Sequence, residues 1–197
     1  MKRRRLRIVI PTVPSRAALR AELERDIERA FVRWPLYSVE LLVSRDDAPG
    51  APGFVPRQAR AMLGPKSPLG PVRTPWVLWL DDDAELCARF AARLADVMDA
   101  APEGAEAIGL FDHAPATHAP GIHPSTPRGV ATLMTGRCAR ALPDRAFGDN
   151  YEASLREAAR AAGGDTFVTM PSLVDHRGEV SALTGGFNTY RAARLPD

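Results

Sequence analysis

The chain has 197 residues, of which 45% are hydrophobic and 25% are charged, a composition typical of one globular domain with a sizeable core. Its formal net charge is only +2, and its two cysteines, Cys87 and Cys138, have neither metal-ligand spacing nor the density of a disulfide scaffold, which favours a reducing compartment. The apolar run after the basic start ends at Pro11, too short for a signal-peptide core, and no segment is long enough to span a membrane. We therefore expect a cytoplasmic protein, in the host cytoplasm if the chain is encoded by a phage.

The amino-terminal segment predicts a strand, a turn and an amphipathic helix. Leu6–Ile10 is an apolar run typical of a short buried strand, which Pro11 and Pro14 are expected to stop. Ser15 is placed to cap the helix that follows. The apolar residues of this helix recur every four positions, at Leu19, Leu23, Ile27 and Phe31.

The central segment predicts two more strands and two more helices. Val39–Val43 indicates the second strand, and the aspartates, glycines and prolines of SRDDAPGAPGFVP indicate a loop after it. A short helix is expected over Pro56–Leu63, and a third strand over Trp76–Leu80. Beyond three aspartates, helical spacing predicts a helix from about Ala84, and EAIGLF predicts a fourth strand. The apolar positions of this helix are Leu86, Phe90, Leu94 and Met98.

The second half is less regular. The proline-rich segment that contains His113–His123 predicts a loop or flap, and VATLMT after it predicts a strand. A helix is expected over Asn150–Ala162 and a last strand over TFVTMP. Alternating strands and helices predict an α/β fold, with a mostly parallel sheet that helices cover on both faces.

Three consecutive aspartates, Asp81, Asp82 and Asp83, directly follow the third predicted strand. Ligands of open α/β sheets bind outside the carboxyl ends of the strands, so these carboxylates are expected at a ligand site. Adjacent carboxylates repel one another, and a hard cation such as Mg²⁺ or Mn²⁺ relieves that repulsion while recruiting phosphate oxygens. The structural alternative is that Asp83 or a neighbour caps the helix expected from Ala84. A cap explains one aspartate and leaves two unexplained, so the pattern favours a metal.

The chain resembles glycosyltransferases of the GT-A fold. In the first half the resemblance lies in IVIPTVPSR, in a strand ending in SRDD, and in WLDDDAEL, whose DDD run corresponds to their DxD motif. In the second half, FGDNYEASLREAARAAG followed by TFVTMPSLVDHRGEVSAL is similar to the closing segment of several short GT-A enzymes. The resemblance covers nearly the whole chain and implies a GT-A-like, Rossmann-like single domain over residues 1–197. It also implies a nucleotide-sugar and metal-binding half, residues 1–111, and an acceptor and catalytic half, residues 112–197.

The resemblance implies a nucleotide site at the ends of the first two strands. Pro11, Thr12 and Arg16 occupy the loop that surrounds the nucleotide in such enzymes. Asp46 or Asp47 matches the carboxylate that often meets the base or the ribose. The structural alternative for this pair is an Asx-type turn.

The resemblance also implies a metal site. Asp81 and Asp83 match the outer aspartates of the DxD motif, with Asp83 the more direct metal ligand and Asp81 the contact to sugar or ribose, and Asp82 lies in the same nucleotide-sugar site. His176 matches a late histidine that completes the metal shell or touches the diphosphate in some GT-A enzymes, and a plain hydrogen-bonding role is its alternative. The implied cofactor is Mn²⁺ or Mg²⁺, and the implied donor is a nucleoside-diphosphate sugar, with a UDP-sugar first.

The chemistry of sugar transfer indicates further residues. A metal stabilises the departing nucleoside diphosphate, and Arg57, Arg60 or Arg177 are candidates for bidentate contacts to its phosphates. An inverting enzyme also needs a base for the acceptor hydroxyl, and the resemblance implies Asp149, which lies where many GT-A enzymes carry an acidic base, ahead of Glu152. The structural alternative is an N-cap at Asp149 with Glu152 as its capping-box partner. Inversion and retention are both left open.

These observations predict a metal-dependent glycosyltransferase of the hexosyltransferase type that uses a hydroxyl acceptor. A saccharide or small molecule is expected first, and hydroxymethylated phage DNA second because of the arginines in MKRRRLR, whose structural alternative is a solvated chain end. Two other classes are a nucleotidyltransferase and a non-catalytic nucleotide-sugar-binding module. A nucleotidyltransferase usually has a Gly-rich phosphate loop near its first strand, and the segment PTVPSR contains no glycine. The sequence does not decide the oligomeric state.

Overall fold

A computed structural model of the chain describes residues 3–32, 34, 36–48, 51–112 and 119–177. The strands are β1 (Arg4–Thr12), β2 (Tyr37–Arg45), β3 (Trp76–Leu80), β4 (Ala84–Leu86), β5 (Ala105–Gly109), β6 (Gly121–Pro124), β7 (Ala131–Thr135), β8 (Asp165–Met170) and β9 (Val174–His176). The helices are α1 (Ala17–Val32), α2 (Phe54–Leu63), α3 (Phe90–Ala100), α4 (Gly136–Arg145) and α5 (Tyr151–Ala161). Within these described ranges, no helix has both the length and the apolar character needed to cross a bilayer.

A seven-stranded sheet in the order β2-β1-β3-β7-β5-β8-β6 forms the centre of the molecule. Strands β2, β1, β3, β5 and β8 run in one direction, because β1 is parallel to β2 and β3, β5 is parallel to β8, and β7 is antiparallel to both β3 and β5. β7 and β6 run the opposite way. The prediction of a mostly parallel sheet in a single domain is confirmed, since strands from both halves of the chain form one sheet.

Helices cover both faces of this sheet, as the sequence predicts. α1 and α3 pack on the face that carries Leu6, Ile8 and Ile10 of β1. α2, α4 and α5 pack on the opposite face, beside Val9 of β1 and Trp79 of β3. Successive side chains of a strand point to opposite faces, so a strand buried on both sides has a continuous apolar sequence.

Pro11 does not stop β1, contrary to the sequence prediction. β1 continues to Thr12, and Pro11 is in register with Ser44 of β2. The pairing of β1 with β3 ends earlier, at Val9 and Trp79. Proline is tolerated where its missing N–H faces no neighbouring strand, so the chain stays extended here. The extension carries Thr12 to the edge of the sheet where the aspartates lie.

The helix expected from Ala84 is a strand, which corrects the sequence prediction. Ala84–Leu86 form β4, which pairs antiparallel with β9, and α3 begins only at Phe90. A short apolar segment takes the secondary structure that its partner allows, and here the partner comes from the far end of the chain. Because no helix begins beside Asp83 in this described segment, the N-cap alternative for Asp83 is wrong.

The second half has more regular structure than the sequence predicts. β6 lies inside the segment expected to be a loop or flap, where it pairs with β8. α4 was not indicated by any sequence pattern, and it begins directly after β7 with Thr135 as its N-cap. His113 and His118 of the expected loop, and the tail after residue 177, lie outside the described residues.

Candidate active site

Three parallel strands, β2, β1 and β3, have their carboxyl ends on the same side of the sheet. β1 ends at Thr12, β2 at Arg45 and β3 at Leu80. The backbone N–H of Asp46 donates a 2.8 Å hydrogen bond to the carbonyl oxygen of Thr12, which holds the first two strand ends together. The structure thus brings the three aspartates after Leu80 to the edge where ligands of open α/β sheets bind.

Asp82 is buried between the end of β3 and the loop after β1. The residue is 4% exposed. Thr12 Oγ1 donates a 2.7 Å hydrogen bond to Asp82 Oδ2, and Arg16 Nη1 donates a 2.8 Å hydrogen bond to Asp82 Oδ1. Burial raises the pKa of Asp82, although the contacts with Arg16 and Thr12 oppose the shift. Three of the residues predicted from the sequence are therefore in direct contact.

Asp83 connects Arg16 to His176. Its Oδ2 accepts a 2.8 Å hydrogen bond from Arg16 Nη1 and lies 3.2 Å from His176 Nε2. His176 reaches this position because β9 pairs with β4, which places it opposite Ala84. Asp83 is 2% exposed; its burial disfavours ionisation, but His176 and Arg16 outweigh burial and lower the pKa of Asp83. Two predicted metal ligands that are far apart in the sequence are neighbours in the fold.

Asp81 contacts an aromatic pair that sequence analysis missed. Trp79 Nε1 donates a 3.2 Å hydrogen bond to Asp81 Oδ1, and the ring centroid of Tyr151 lies 5.0 Å from that of Trp79. Gly129 lies beside both groups, since a Cβ built on it would be 3.8 Å from Asp81 Oδ2 and 3.9 Å from Tyr151 Cδ1. Burial and the charges of the other two aspartates raise the pKa of Asp81 well above its usual range. Period-two alternation puts Trp79 on the same side as Asp81, but Gly129 and Tyr151 carry no local signal.

The predicted metal ligands, Asp81, Asp83 and His176, are only partly assembled. The described part of the chain contains no group of three or more His, Cys, Asp or Glu side chains arranged to hold a metal ion. One observation fits a cation: Oδ1 of buried Asp83 has no hydrogen-bond partner among the described residues. An unsatisfied buried carboxylate oxygen is costly, and a cation would satisfy it. Because Mg²⁺ often binds one or two protein carboxylates together with water and substrate phosphates, the residues fit a cation that arrives with a diphosphate.

Asp46 and Asp47 differ in their surroundings. Asp46 is 8% exposed, and its Oδ1 accepts a 2.9 Å hydrogen bond from the N–H of Ala48, which is the contact of an Asx-type turn. Its Oδ2 accepts 2.8 Å and 3.2 Å hydrogen bonds from Arg57. Burial opposes ionisation of Asp46, but the bonds from Ala48 and Arg57 outweigh it and lower the pKa. Asp47 is exposed and pairs with Arg45 at 2.6 Å.

Arg57 binds the loop between β2 and α2 in addition to Asp46. Its guanidinium donates hydrogen bonds to the carbonyl oxygens of Ala48 and Ala51, at 3.0 Å and 3.2 Å, and also to that of Pro52. Arg57 therefore holds this loop against the edge of the sheet. The structure shows Arg57 in contacts within its own chain, and its predicted contact to phosphate stays a prediction.

The helix α5 is capped by a different residue from the one expected. It begins at Tyr151, and its N-cap is Asn150, whose Oδ1 accepts a 2.9 Å hydrogen bond from the N–H of Ala153. The N-cap alternative for Asp149, with Glu152 as the capping-box partner, is therefore wrong. An asparagine is as good a cap as an aspartate, and the sequence offers both side by side.

Asp149 and Glu152 lie in the second half of the chain, close to loops that also contact the aspartates. Asp149 is exposed, and its Oδ2 accepts a 3.3 Å hydrogen bond from the N–H of Gly53 at the start of α2. Gly53 belongs to the loop that Arg57 holds. Glu152 pairs with Arg128 at 3.2 Å, next to Gly129. The structure thus places Asp149 beside the loop between β2 and α2, and Glu152 beside the segment that lies next to Asp81.

The remaining candidate arginines have different surroundings. Arg60 is exposed on α2, whereas the Arg177 guanidinium binds the carboxylates of Glu22 and Asp26 on α1. Near the amino terminus, Arg4 donates 2.8 Å and 2.6 Å hydrogen bonds to Asp99, and Arg5 pairs with Glu40 at 3.8 Å. Lys2 lies outside the described residues. These ion pairs neutralise part of the basic start that the sequence offered as a contact to DNA phosphates.

A cavity of about 770 Å³ lies beside β4, between α1 and α3. Its lining includes Asp26, Trp34, Glu85 and Arg177, but none of the three consecutive aspartates. The cavity is therefore separate from the cluster of buried carboxylates, although Glu85 follows Asp83 by only two residues.

Comparison with protein-family models gives no match, and comparison with curated proteins gives none. Solved structures do match. A glycosyltransferase involved in the glycosylation of the major capsid of PBCV-1 has a TM-score of 0.52 at 14% identity, over 90% of this chain and 94% of that one. A Drosophila β1,4-galactosyltransferase 7 variant, solved with manganese, UDP-Gal and xylobiose, has a TM-score of 0.52 at 11% identity, over 96% of this chain and 70% of that one. The chain has the GT-A fold of these glycosyltransferases, which confirms the fold that the sequence predicts.

Proposed function

We propose that this protein is a metal-dependent glycosyltransferase that transfers a sugar from a nucleoside-diphosphate sugar to a hydroxyl acceptor. A fold hosts many functions, so the site must carry the argument. The observation that carries it is the buried contact of Asp82 and Asp83 with Arg16 and His176 at the strand ends of a GT-A fold. Within the described part of the chain, Asp83 Oδ1 has no hydrogen-bond partner. This arrangement supports the proposal because it leaves a buried carboxylate oxygen without a hydrogen bond at the strand ends, where ligands of open α/β sheets bind.

In this proposal the chain's own residues divide the work. Asp83 and His176 hold Mn²⁺ or Mg²⁺, and the bound metal stabilises the departing nucleoside diphosphate as a Lewis acid. Arg16 and Thr12 hold Asp82, so that the neighbouring Asp83 keeps its orientation. Asp81 is partly exposed and oriented by Trp79, and we assign it the contact to the ribose or the donor sugar.

The donor and acceptor are proposed from the same contacts. We propose a UDP-sugar, in line with the UDP-Gal in the Drosophila structure, with the nucleoside beside Asp46, Asp47 and Pro11. Residues 1–111 then bind donor and metal, and residues 112–197 bind the acceptor and supply the base. Asp149 is favoured over Glu152 as the base because Asp149 is exposed, whereas Glu152 is paired with Arg128.

A saccharide or small-molecule acceptor is favoured over DNA. The DNA alternative depends on the basic start of the chain, where Arg4 is bonded to Asp99 and Arg5 is paired with Glu40. Phosphate binding must compete with these pairs, so the driving force from counterion release is smaller than the count of arginines suggests. A hexose is proposed as the sugar, without further choice of its identity.

The test is calorimetric titration with Mn²⁺, with UDP, and with UDP in the presence of Mn²⁺. Asp83→Asn keeps the shape of the side chain and removes its charge, and Asp99→Asn on the exposed end of α3 makes the same change far from the site. We expect the unsubstituted protein and Asp99→Asn to bind UDP more tightly with Mn²⁺ than with chelator. Asp83→Asn should lose this difference.

Turnover is measured with a panel of UDP-sugars, as slow hydrolysis without acceptor and as transfer to simple saccharides. The expected result is release of UDP that depends on Mn²⁺ or Mg²⁺ and is abolished in Asp83→Asn. Binding of UDP without any turnover would indicate a non-catalytic module instead. Binding of neither metal nor nucleotide would refute the proposed function altogether.

A further inference from the structure

The strand β2 forms one edge of the central sheet, where it pairs with β1 over its whole length, Tyr37–Arg45, and with no other described strand. Edge strands leave a row of N–H and C=O groups that another chain can pair with. Proteins usually protect such edges with prolines, charged side chains (lysine above all), bulges, very short strands, or a covering helix or loop. β2 has nine residues and contains neither proline nor lysine. Its length and sequence therefore leave this edge open to pairing.

The direction of the backbone groups follows from the hydrogen bonds at both ends of β2. The carbonyl oxygen of Leu36 accepts a 2.7 Å hydrogen bond from the N–H of Arg4, and the N–H of Asp46 donates to Thr12, so even-numbered positions face β1. The N–H of Tyr37 instead donates to the carbonyl oxygen of Trp34. Because consecutive residues of a strand direct these groups to opposite sides, the odd-numbered positions of β2 face outward. The central three are Val39, Leu41 and Val43.

The sequence of β2, YSVELLVSR, is nearly symmetric about Leu41. If two copies pair antiparallel with Leu41 on the two-fold axis, every residue of β2 lies opposite another, and the outward-facing Val39, Leu41 and Val43 fall on hydrogen-bonded pairs. No like charges are opposed, which is the condition for favourable cross-strand pairing. The resulting pairs are Leu41 with Leu41, Val39 with Val43, Ser38 with Ser44, Glu40 with Leu42, and Tyr37 with Arg45.

The side chains of β2 agree with this pairing. Leu41 is 40% exposed, one of the few large apolar side chains at the surface among the described residues. The charge of Glu40 is directed to its own chain, because Glu40 Oε2 accepts a 2.9 Å hydrogen bond from Arg7 Nε of β1. Pairing would therefore cover an apolar side chain and bring no unpaired charge to the two-fold axis.

We propose that this protein forms a symmetric dimer in which the β2 strands of two copies pair antiparallel about Leu41, so that the two seven-stranded sheets become one continuous sheet. The partner is a second copy of the same chain, because the near-symmetry of the strand matches an isologous contact. The two β2 strands run in opposite directions, so the carboxyl ends of the parallel strands point opposite ways in the two copies. The two candidate active sites therefore lie on opposite sides of the dimer. This dimer is independent of the proposed enzymatic function.

The first test is the mass of the protein by sedimentation equilibrium over a wide concentration range. Leu41→Pro removes the outward N–H on the axis and no hydrogen bond to β1, which is the position where an edge strand tolerates proline. Leu41→Val keeps the N–H and is the matched control. We expect the unsubstituted protein and Leu41→Val to be dimers, and Leu41→Pro to be a monomer whose far-ultraviolet circular dichroism spectrum matches that of the unsubstituted protein.

The second test fixes the register and does not depend on the folding of the proline variant. In the proposed pairing the two Leu41 Cα atoms are about 5.5 Å apart, within the range that a disulfide spans. Leu41→Cys should form a covalent dimer under mild oxidation, whereas Ser38→Cys and the unsubstituted protein, which retains Cys87 and Cys138, should not. A monomer at every concentration overturns the proposal. So does a dimer that Leu41→Cys fails to cross-link.

Discussion

Replacing Arg16 by methionine tests whether the buried carboxylate cluster is organised as the structure indicates. One guanidinium nitrogen of Arg16 bonds both Asp82 and Asp83, and the Arg16 side chain is 13% exposed. Removing one partner of a buried ion pair costs about 3–5 kcal/mol, because the remaining charge is left without compensation. The slight exposure of Arg16 places the expected loss near the lower end, at about 3 kcal/mol.

A loss of about 3 kcal/mol corresponds to a fall in Tm of about 6–12 °C, since each kcal/mol shifts the Tm of a chain of this size by about 2–4 °C. A cation bound at Asp83 would replace part of the lost positive charge. At a concentration 100 times its Kd, it would return about 2.7 kcal/mol. We therefore expect Mn²⁺ to raise the Tm of Arg16→Met by more than it raises that of the unsubstituted protein.

The measurement is thermal unfolding followed by circular dichroism, in chelator and in excess Mn²⁺. Arg29→Met is the matched control, because Arg29 lies on α1, the helix that directly follows Arg16, is 75% exposed and pairs only with Asp26 among the described residues. A surface pair of this kind contributes about 0–1 kcal/mol. The described organisation of the cluster is wrong if Arg16→Met and Arg29→Met have the same Tm in chelator. It is also wrong if Mn²⁺ raises the Tm of Arg16→Met no more than that of the unsubstituted protein.

Three further predictions follow from the surroundings of single residues. Asp46→Asn should lower the free energy of unfolding by about 1–3 kcal/mol, because it weakens the hydrogen bonds from Arg57, whereas Asp47→Asn should leave that free energy unchanged. Equal midpoints of urea unfolding for the two variants would contradict this difference. Burial, reinforced by Glu106, raises the pKa of Cys138 to about 12, so at pH 8 a thiol reagent should modify the partly exposed Cys87 in the native protein and Cys138 only after unfolding. Because Arg4 and Arg5 are ion-paired, duplex DNA should show no steeply salt-dependent binding, and a steep slope that disappears in Arg4→Gln/Arg5→Gln would restore the nucleic-acid alternative.

Sequence patterns located the elements whose signal is local. Trp76–Leu80 is both the predicted strand and the observed β3. An apolar run bounded by a proline turn and by aspartates can be recognised without information from the rest of the chain. The four-residue spacing from Leu19 to Phe31 marks α1 correctly, since helix periodicity needs no information from elsewhere. The position of Asp81–Asp83 at the carboxyl ends of the strands also followed from these patterns together with the rules of α/β sheets.

Sequence-based prediction was wrong at two positions where a distant part of the chain decides the structure, and at one where two adjacent residues compete for the same role. Ala84–Leu86 has helical spacing but forms β4, because β9 supplies a strand beside it. Pro11 remains in β1 because the neighbouring β3 ends its pairing before that position. Asn150, rather than Asp149, caps α5, a choice between adjacent residues that the local sequence leaves open.

The sequence by itself thus determined the order of most strands and helices, the class of fold and the residues of the aspartate run, because hydrophobic period, turn residues and strand ends are properties of neighbouring positions. Only the tertiary structure decided that Arg16 and Thr12 hold Asp82, that His176 touches Asp83, that Trp79 and Tyr151 support Asp81, and that Arg57 is bound to Asp46. Apart from the bond between Trp79 and Asp81, these contacts join residues from different elements or loops, and each involves a buried or partly buried carboxylate. Burial makes an unpartnered charge costly, so each buried charge must have a partner. Which residue becomes that partner depends on how distant segments pack, and a local sequence pattern does not contain that information.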